Sequence, residues 1–367
     1  MNDAHKTILK VIFLIIVPTL IFVSWSRPDR FRDRRVAGAR AVPPKLVSPP
    51  IPAVSMLPHF GDAELVPSYL WLVDDNGSIM RYGFARGQEF LNTVEGFGIG
   101  TRISFIDSKN GWAYFPDGPD GTLCWTKDGG RTWVKLPNKT GSELFIPQPR
   151  QLKFFDQKNG WLINEQNLWR TVDGGTTWTQ SLLATLPLSG FKDVAFISPT
   201  TLIVAKTNGD VVMTSDAGKT WSVGDTTGLY LLTTNRQMAW GIGLDNTVFQ
   251  SRDSGKTWIE LSRIYSQATV LSLQFVSKSE GWAAGFEQRE SEIHGANRYA
   301  VGVLFHTRDG GKTWVQLNAP SDLHFTKVAF LNSRFGWLIG FNGLYETSDS
   351  GKSWLPLIER DLRAVIE

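Results

Sequence analysis

Apolar and polar residues alternate over short segments along most of this chain, a pattern typical of β-strands. Residues 102–136 show it clearly, because the segments RISFID, GWAYF, TLCWT and TWVKL are separated by clusters of Gly, Pro, Asn and Asp. No segment after residue 58 keeps a helical spacing of apolar residues between capping residues. The pattern therefore predicts an all-β fold.

One turn-like sequence occurs in six similar copies, of which the one at Thr307–Trp314 reads TRDGGKTW. Successive copies lie 37 to 56 residues apart, and they end at Trp133, Trp178, Trp221, Trp258, Trp314 and Trp354. That period is typical of a four-stranded propeller blade. A seventh, degenerate unit without this sequence covers residues 65–90. Seven units predict a single seven-bladed β-propeller over residues 59–367, whose first blade is closed by AELV (residues 63–66) or by LRAVIE (residues 362–367).

An apolar stretch lies near the N-terminus, from Ile8 to Trp25. Its eighteen residues span ~27 Å as a helix, which is enough to cross the hydrocarbon core of a bilayer. A cleaved signal peptide is the alternative, but the Ala-x-Ala sequence at Ala39–Ala41 lies too far from the stretch. We therefore expect an N-terminal transmembrane helix as a membrane anchor over residues 1–26. A linker over residues 27–58 follows, first Arg-rich and then Pro-rich.

Charge is distributed unevenly between these segments. The whole chain carries +3, whereas residues 1–58 contain nine Lys and Arg against three Asp, a net of +6 that leaves −3 for the rest. A slightly acidic body has no basic footprint for nucleic acid, so no such partner is expected. No Cys and His residues have metal-ligand spacing, and the single cysteine, Cys124, is expected to be buried and inert. No metal or cofactor is predicted.

The first strand of each unit alternates between apolar residues and polar or small ones. Apolar residues such as Ile103 and Phe105 are expected to pack between blades, and the intervening residues to line the central channel. In blade 5 the alternation assigns Thr233 to the core. A basic cluster at one channel mouth, partly offset by Asp193, is predicted from Arg102, Arg150, Lys153, Lys192 and Lys327. Such a cluster would concentrate positive potential for a partner; the alternative is five scattered, solvated charges.

A second candidate region is the long segment GFEQRESEIHGANRYAVG at residues 285–302, where other units have a short turn. It joins the second strand of blade 6 to the third, which in a propeller places it on the same face as the basic cluster. Long charged loops on rigid scaffolds often carry function. A dispensable insertion is the alternative. The expected partner contacts are Glu287, Arg289, Glu290, His294 and Arg298.

The sequence F-x-D-x-x-x-G-W followed by G-x-L-x-x-T-x-D-G-G-x-T-W resembles the photosystem II stability/assembly factor-like repeats, which belong to the wider BNR, or Asp-box, proteins. The resemblance implies that the repeated sequence is the turn between the third and fourth strands of a blade. Its Asp can accept hydrogen bonds from the turn, and its Gly can take a positive φ. Each of the six copies offers one such Asp on a separate blade, so calcium ligation is not expected. Turn-holding roles are expected for Asp128, Asp173, Asp216, Asp253, Asp309 and Asp349.

The resemblance further implies a non-catalytic, membrane-tethered propeller that binds protein and helps to assemble or stabilise a membrane protein complex. A small-molecule substrate is not expected. The propeller would lie outside the cytoplasm, periplasmic or lumenal, anchored in the cell membrane, although the arginines after the apolar stretch favour the reverse orientation.

An extracytoplasmic glycoside hydrolase, sialidase-like, or a carbohydrate-binding propeller is the alternative. The early Phe-Arg-Ile-Pro sequence of sialidases is missing. Glycosidases also need two facing carboxylates, and Asp193 is the one carboxylate expected in the channel.

Overall fold

The computed structural model shows an all-β, seven-bladed propeller, as predicted. It describes residues 60–67, 69–74, 78–83, 87–93, 101–116, 121–137, 139–140, 149–164, 167–181, 190–225, 228–235, 238–265, 267–290, 298–322, 324–341 and 343–359. The expected anchor and linker, His294 and the LRAVIE segment lie outside these ranges. Within them, no helix has the length and apolar character needed to cross a membrane.

The described residues form seven sheets, and in each the four strands of a blade are antiparallel and follow chain order. Blade 1 contains β1 (Phe60–Val66), β2 (Tyr69–Asp74), β3 (Ser78–Gly83) and β4 (Gly87–Thr93). Blade 2 contains β5 (Arg102–Phe105), β6 (Gly111–Phe115), β7 (Thr122–Thr126) and β8 (Val134–Lys135). Blade 3 contains β10 (Gln151–Phe154), β11 (Gly160–Ile163), β12 (Leu168–Thr171) and β13 (Thr177–Gln180), and β9 (Lys139–Thr140) pairs in parallel with β13.

The remaining four blades repeat this arrangement. Blade 4 contains β14 (Phe191–Ser198), β15 (Thr201–Lys206), β16 (Val211–Thr214) and β17 (Ser222–Val223). Blade 5 contains β18 (Leu229–Asn235), β19 (Met238–Gly243), β20 (Thr247–Ser251) and β21 (Ile259–Arg263). Blade 6 contains β22 (Ala268–Phe275), β23 (Gly281–Glu290), β24 (Arg298–Thr307) and β25 (Val315–Leu317). Blade 7 contains β26 (Phe325–Phe330), β27 (Gly336–Gly340), β28 (Gly343–Thr347) and β29 (Leu355–Glu359).

The ring closes between blade 7 and blade 1. All four strands of blade 1 come from the N-terminal part of the propeller, with β1 innermost, so AELV takes the position for which the sequence offered two candidates. Ala63 and Leu70 of blade 1 share a hydrophobic cluster with Trp337 and Ile339 of blade 7. In the described part of the chain, a comparable cluster fills each of the other junctions between neighbouring blades.

A stack of three aromatic rings recurs at these junctions. Trp112 of blade 2 stacks on Phe154 of blade 3, with ring centroids 3.9 Å apart and planes at 5°, and Phe154 meets Trp178 edge-on at 6.0 Å. The Trp112 indole N–H also donates to the Gly174 carbonyl of blade 3 at 2.9 Å. Such aromatic pairs add attraction to the area that they bury. The same stack is formed by Trp71, Phe105 and Trp133, by Trp240, Phe275 and Trp314, and by Trp282, Phe330 and Trp354.

Each repeated turn connects the third and fourth strands of its blade. Asp309 Oδ1 accepts hydrogen bonds from the Thr307 hydroxyl and the Thr313 N–H, both at 2.9 Å, and Oδ2 accepts one from the Thr313 hydroxyl at 2.6 Å. Gly311 has a φ of 96°, a left-handed conformation that favours glycine, and its N–H donates to the Thr307 hydroxyl. The corresponding bonds are made at Asp128, Asp173, Asp216, Asp253 and Asp349.

Candidate functional site

Alternate residues of the innermost strands lie on one face of each sheet, towards the next blade and the central channel. Their register follows from pairing with the second strands, since Ser104 pairs with Trp112 and Lys153 with Trp161. The residues at this position form a set that we call the deep layer: Glu64, Ser104, Lys153, Ala195, Thr233, Gln274 and Ala329. Two residues earlier on each strand lies the mouth layer: Asp62, Arg102, Gln151, Asp193, Leu231, Ser272 and Lys327.

Blade 5 departs from the predicted alternation by one residue. Thr233 pairs with Trp240 and therefore takes the channel position that Lys153 has in blade 3. The buried position belongs to Leu232, which is 7% exposed and packs between blades 4 and 5. The assignment of Thr233 to the core is thus wrong. The segment LLTTN lacks the Phe that marks the buried register in most other blades. Alternation alone therefore assigned the residues of this strand to the wrong faces.

The channel mouth holds a cavity of about 590 Å³. Asp62 and Glu64 line it and were not predicted; they belong to β1, whose role the sequence left undecided. Lys192, by contrast, lies in a bulge of β14 between Phe191 and Asp193 and is not among the residues that line this cavity. Four of the five predicted cations do line the cavity: Arg102, Arg150, Lys153 and Lys327. Against two carboxylates, they give the lining a net charge of +2.

Three of these cations donate hydrogen bonds to backbone carbonyls of the next blade. Arg102 Nε donates to the Arg150 carbonyl at 2.8 Å, and Arg150 Nη1 donates to the Phe191 carbonyl at 3.2 Å. The Lys327 ammonium donates to the Ala63 carbonyl and so joins blade 7 to blade 1. These carbonyl contacts orient the three cations. Positive charge is therefore held in place at the mouth.

Asp193 links three innermost strands. Its Oδ1 accepts hydrogen bonds from the Val194 N–H at 2.8 Å and the Gln151 side-chain amide at 2.9 Å, and its Oδ2 accepts one from the Leu232 N–H at 2.7 Å. Burial raises the pKa of Asp193 to about 6, although these hydrogen bonds and the charge of Arg150 act in the opposite direction. Its carboxylate thus connects blade 4 to blades 3 and 5 by hydrogen bonds.

The two unpredicted carboxylates have different partners. Asp62 accepts hydrogen bonds from the N–H groups of Ala63 at 2.8 Å and Ile103 at 3.0 Å. It therefore connects blade 1 to blade 2, in the same way that Asp193 connects blade 4 to blade 5. Glu64 Oε1 instead lies 2.5 Å from the Lys153 ammonium of blade 3. This ion pair joins the deep-layer positions of blades 1 and 3, past blade 2.

These carboxylates also bear on glycoside hydrolysis, which needs one carboxylic acid and one carboxylate facing the substrate. The expectation of a single channel carboxylate is wrong, since Asp62 and Glu64 line the cavity. However, Asp62 and Asp193 both accept backbone hydrogen bonds through each oxygen, and Glu64 is paired with Lys153.

The long segment of blade 6 is mostly a β-hairpin and not a loop. The pairing of β23 with β24 continues outwards to Glu290 and Arg298; we call residues 286–290 and 298–301 the arm. Ala268, the first residue of the innermost strand β22, pairs with Glu287. The arm therefore extends from the face of the propeller on which the innermost strands begin. The channel mouth lies on this same face. Glu287 is buried and accepts a hydrogen bond from Arg289 Nε at 2.6 Å, whereas Glu290 is exposed.

The described residues contain no group of three or more His, Cys, Asp or Glu side chains that could hold a metal ion. Cys124 is buried in the cluster between blades 1 and 2.

The fold and site define a seven-bladed propeller with a charged channel mouth, and known proteins share this fold. No family model matches the chain. The photosystem II stability/assembly factor HCF136 of Arabidopsis thaliana chloroplasts is 23% identical over 276 residues, covering 66% of this chain and 62% of that protein. The chain thus spans less than two-thirds of the length of this relative.

Two solved structures extend the comparison. One, described as YCF48 bound to D1 peptide, has a TM-score of 0.59 and 19% identity, covering 80% of this chain and 92% of that chain. A GH74 enzyme of Niastella koreensis has the same TM-score of 0.59 with 15% identity, covering 80% of this chain and 52% of that chain. At such identities the structures establish the fold alone. The names of HCF136 and YCF48 confirm, at low identity, the predicted resemblance to photosystem II stability/assembly factors.

Proposed function

We propose that this protein is a non-catalytic, membrane-tethered β-propeller that binds protein and helps to assemble or stabilise a membrane protein complex. One observation carries the proposal: the fold matches, over 80% of the chain, a YCF48 propeller described as bound to D1 peptide. The HCF136 relative is named as an assembly factor as well. By analogy, the client here is a membrane protein or a complex that contains one.

The channel mouth is the proposed binding surface. A concave site of net charge +2 on a propeller of net charge −3 concentrates positive potential and attracts an acidic segment of the client. Arg102 and Arg150 are already held by backbone carbonyls. They therefore lose little conformational freedom when a client binds.

The arm supplies a second contact on the same face. Tyr299 is 48% exposed there, and Glu290 of the opposing strand is exposed as well. Exposed tyrosines are favoured at protein interfaces because they bury a large area at little entropic cost. Together with Arg289, these residues would recognise a part of the client that lies outside the channel.

Tethering is part of the proposal. Residues 1–26 would anchor the chain in the cell membrane, residues 27–58 would hold the propeller away from it, and the propeller would lie outside the cytoplasm. The apolar stretch Ile8–Trp25 supports the anchor. A reporter that is active only outside the cytoplasm, fused after Glu367, tests the orientation. Activity is expected, and silence with a full-length protein would overturn the extracytoplasmic placement.

Crosslinking of the intact protein in its native membrane, followed by mass spectrometry, tests protein binding. We expect a discrete membrane-protein partner. Arg150→Gln with Lys153→Gln removes two channel charges but keeps hydrogen-bond donors at both positions. The matched variant, Lys219→Gln with Lys256→Gln, removes two exposed charges from turns on the opposite face. Capture of the partner should fall in the first variant and persist in the second.

Other outcomes would redirect the assignment. Equal capture by both variants would move the binding surface away from the channel mouth. No partner for the wild-type protein would overturn the proposal. Release of reducing ends from oligosaccharides would then be the next activity to measure, because a GH74 enzyme shares the fold.

A further inference from the structure

The deep layer of the channel contains one pair of opposite charges. Of its seven residues, Glu64 and Lys153 are charged, and the other five are Ser, Ala, Thr or Gln. The Lys153 ammonium lies 2.5 Å from Glu64 Oε1, although the strand of blade 2 lies between theirs in the ring. The two side chains therefore meet across the channel.

This contact differs from those of the neighbouring cations. Arg102, Arg150 and Lys327 donate to backbone carbonyls, which cannot withdraw unless a strand moves. Glu64 and Lys153 meet through the ends of two flexible side chains, which are 16% and 32% exposed. Only the ends of the two side chains are in contact, so rotation about their side-chain bonds can separate them. The partner of Lys153 can therefore be replaced without disturbing the strands.

The channel also has room for a replacement. The cavity of about 590 Å³ is lined in part by Ala195 and Thr233, two residues of the deep layer whose short side chains leave space in the channel. An acidic side chain or chain terminus that enters from the mouth passes Arg102 and Arg150 on its way to Lys153. These fixed cations would guide it inwards.

We propose that Glu64 occupies, in the unbound protein, the position of a carboxylate that the client brings, and that the client binds by displacing Glu64 from Lys153. The inference rests on the proposed function and names its chemistry: the ligand is a peptide segment that carries carboxylates. Glu64 then sets a threshold for binding. A carboxylate on a peptide that also contacts the mouth displaces it, whereas a small free anion does not.

The test uses a short fluorescein-labelled peptide, rich in Asp and with a free C-terminal carboxylate. Its binding to the detergent-solubilised full-length protein is followed by fluorescence anisotropy. Glu64→Gln removes the competing charge and keeps the side-chain size, so Lys153 becomes available to the peptide in every molecule. We expect the Kd to fall about fivefold. Glu64→Ala, which imitates Ala195 and Ala329 of other blades, repeats the test if the first variant does not fold.

Two controls separate this effect from a change in net charge. Glu260→Gln makes the same charge change at an exposed position on β21 and should alter the Kd by less than about twofold. Lys153→Met removes the proposed receptor, and in that background Glu64→Gln should give no gain. The proposal is overturned by an unchanged Kd in Glu64→Gln, by an equal gain in Glu260→Gln, or by a gain that persists without Lys153.

The same variants separate this inference from the proposed function. If the wild-type protein and Glu64→Gln capture their membrane partner with equal affinity, Glu64 is not a competitor, and protein binding still stands. If neither captures a partner but Glu64→Gln binds the acidic peptide more tightly, the displaceable carboxylate is supported and the assembly function is overturned.

Discussion

The carboxylate of Asp193 in blade 4 accepts a hydrogen bond from the backbone N–H of Leu232 in blade 5 at 2.7 Å. Asp62 makes the same link from blade 1 to the N–H of Ile103 in blade 2, at 3.0 Å. Both aspartates follow a bulge in the innermost strand of their blade. Among the described strands, the sheets of neighbouring blades are not paired with each other. These side chains therefore supply hydrogen bonds that hold one sheet to the next.

Mild acidification is expected to stabilise the protein through Asp193. Burial raises its pKa in the folded protein to about 6, from an ordinary value of 3.8. The folded state therefore binds a proton at a higher pH than the unfolded state does. The free energy of unfolding should rise as the pH falls from about 6 to about 4. Unfolding in urea across this range measures the effect, and Asp193→Asn should flatten it.

The matched control for this measurement is Asp225→Asn, which changes an exposed aspartate of the same blade. It should leave the pH dependence of the wild-type protein intact. If Asp193→Asn keeps the wild-type slope between about pH 6 and pH 4, the titration of another group is responsible for it.

At lower pH the turn aspartates are expected to act in the opposite direction. Partial desolvation favours the neutral form of Asp128, but hydrogen bonds from Thr132 and Thr126 outweigh it and lower the pKa to about 2. The same balance lowers the pKa of Asp309 to about 2. A lowered pKa contributes stability above about pH 4 that is lost as the pH falls towards 2. The thermal unfolding midpoint should therefore drop between these values.

The variant for this prediction is Asp309→Asn, which removes one of these titrating groups. Its unfolding midpoint should depend less steeply on pH below about 4 than that of the wild-type protein. Asp210→Asn, a change in a turn that is not one of the six repeats, serves as the control. If the unfolding midpoint of Asp309→Asn falls as steeply below about pH 4 as that of the wild-type protein, the ionised carboxylate does not stabilise this turn.

The blades are predictable from sequence because their signals are local. The hydrogen bonds of Asp309 go to Thr307 and Thr313, within the same eight-residue repeat. The channel is less predictable, because its chemistry depends on which strands the ring brings together. Periodicity placed Lys153 on the channel wall, but its partner Glu64 lies 89 residues earlier, in the blade without the repeated turn.

The same reasoning applies to the basic cluster. The sequence locates Arg102 and Arg150, but their bonds to carbonyls of the next blade depend on the spacing of strands that are far apart in the chain. Lys192 sits in a bulge, and bulges interrupt the alternation on which the channel assignment relied. Registers and inter-blade contacts therefore need the folded ring.

Removal of the central ring of an aromatic stack is expected to be severely destabilising. Phe154 is 1% exposed and lies between Trp112 and Trp178. Phe154→Ala should lower the free energy of unfolding by about 3–5 kcal/mol, because it leaves a cavity at the junction of blades 2 and 3. Val134→Ala, at a 55% exposed position, should change it by less than about 0.5 kcal/mol. Equal effects in urea unfolding would contradict the role of the stack.

Closure of the ring should depend on Lys327. Its ammonium donates to the Ala63 carbonyl, and an apolar cluster around Trp337 also joins blade 7 to blade 1. Lys327→Met removes the bond and should lower the free energy of unfolding by about 1 kcal/mol, since the lysine is partly exposed. The loss should appear first as faster hydrogen exchange in β1 to β3, because a weakened junction opens locally before the whole ring unfolds. Hydrogen exchange measured by mass spectrometry checks this, with Lys192→Met as the matched change in a cation that does not line the channel. A uniform rise over all blades, or an equal rise in Lys192→Met, would mean that the apolar cluster closes the ring without help from Lys327.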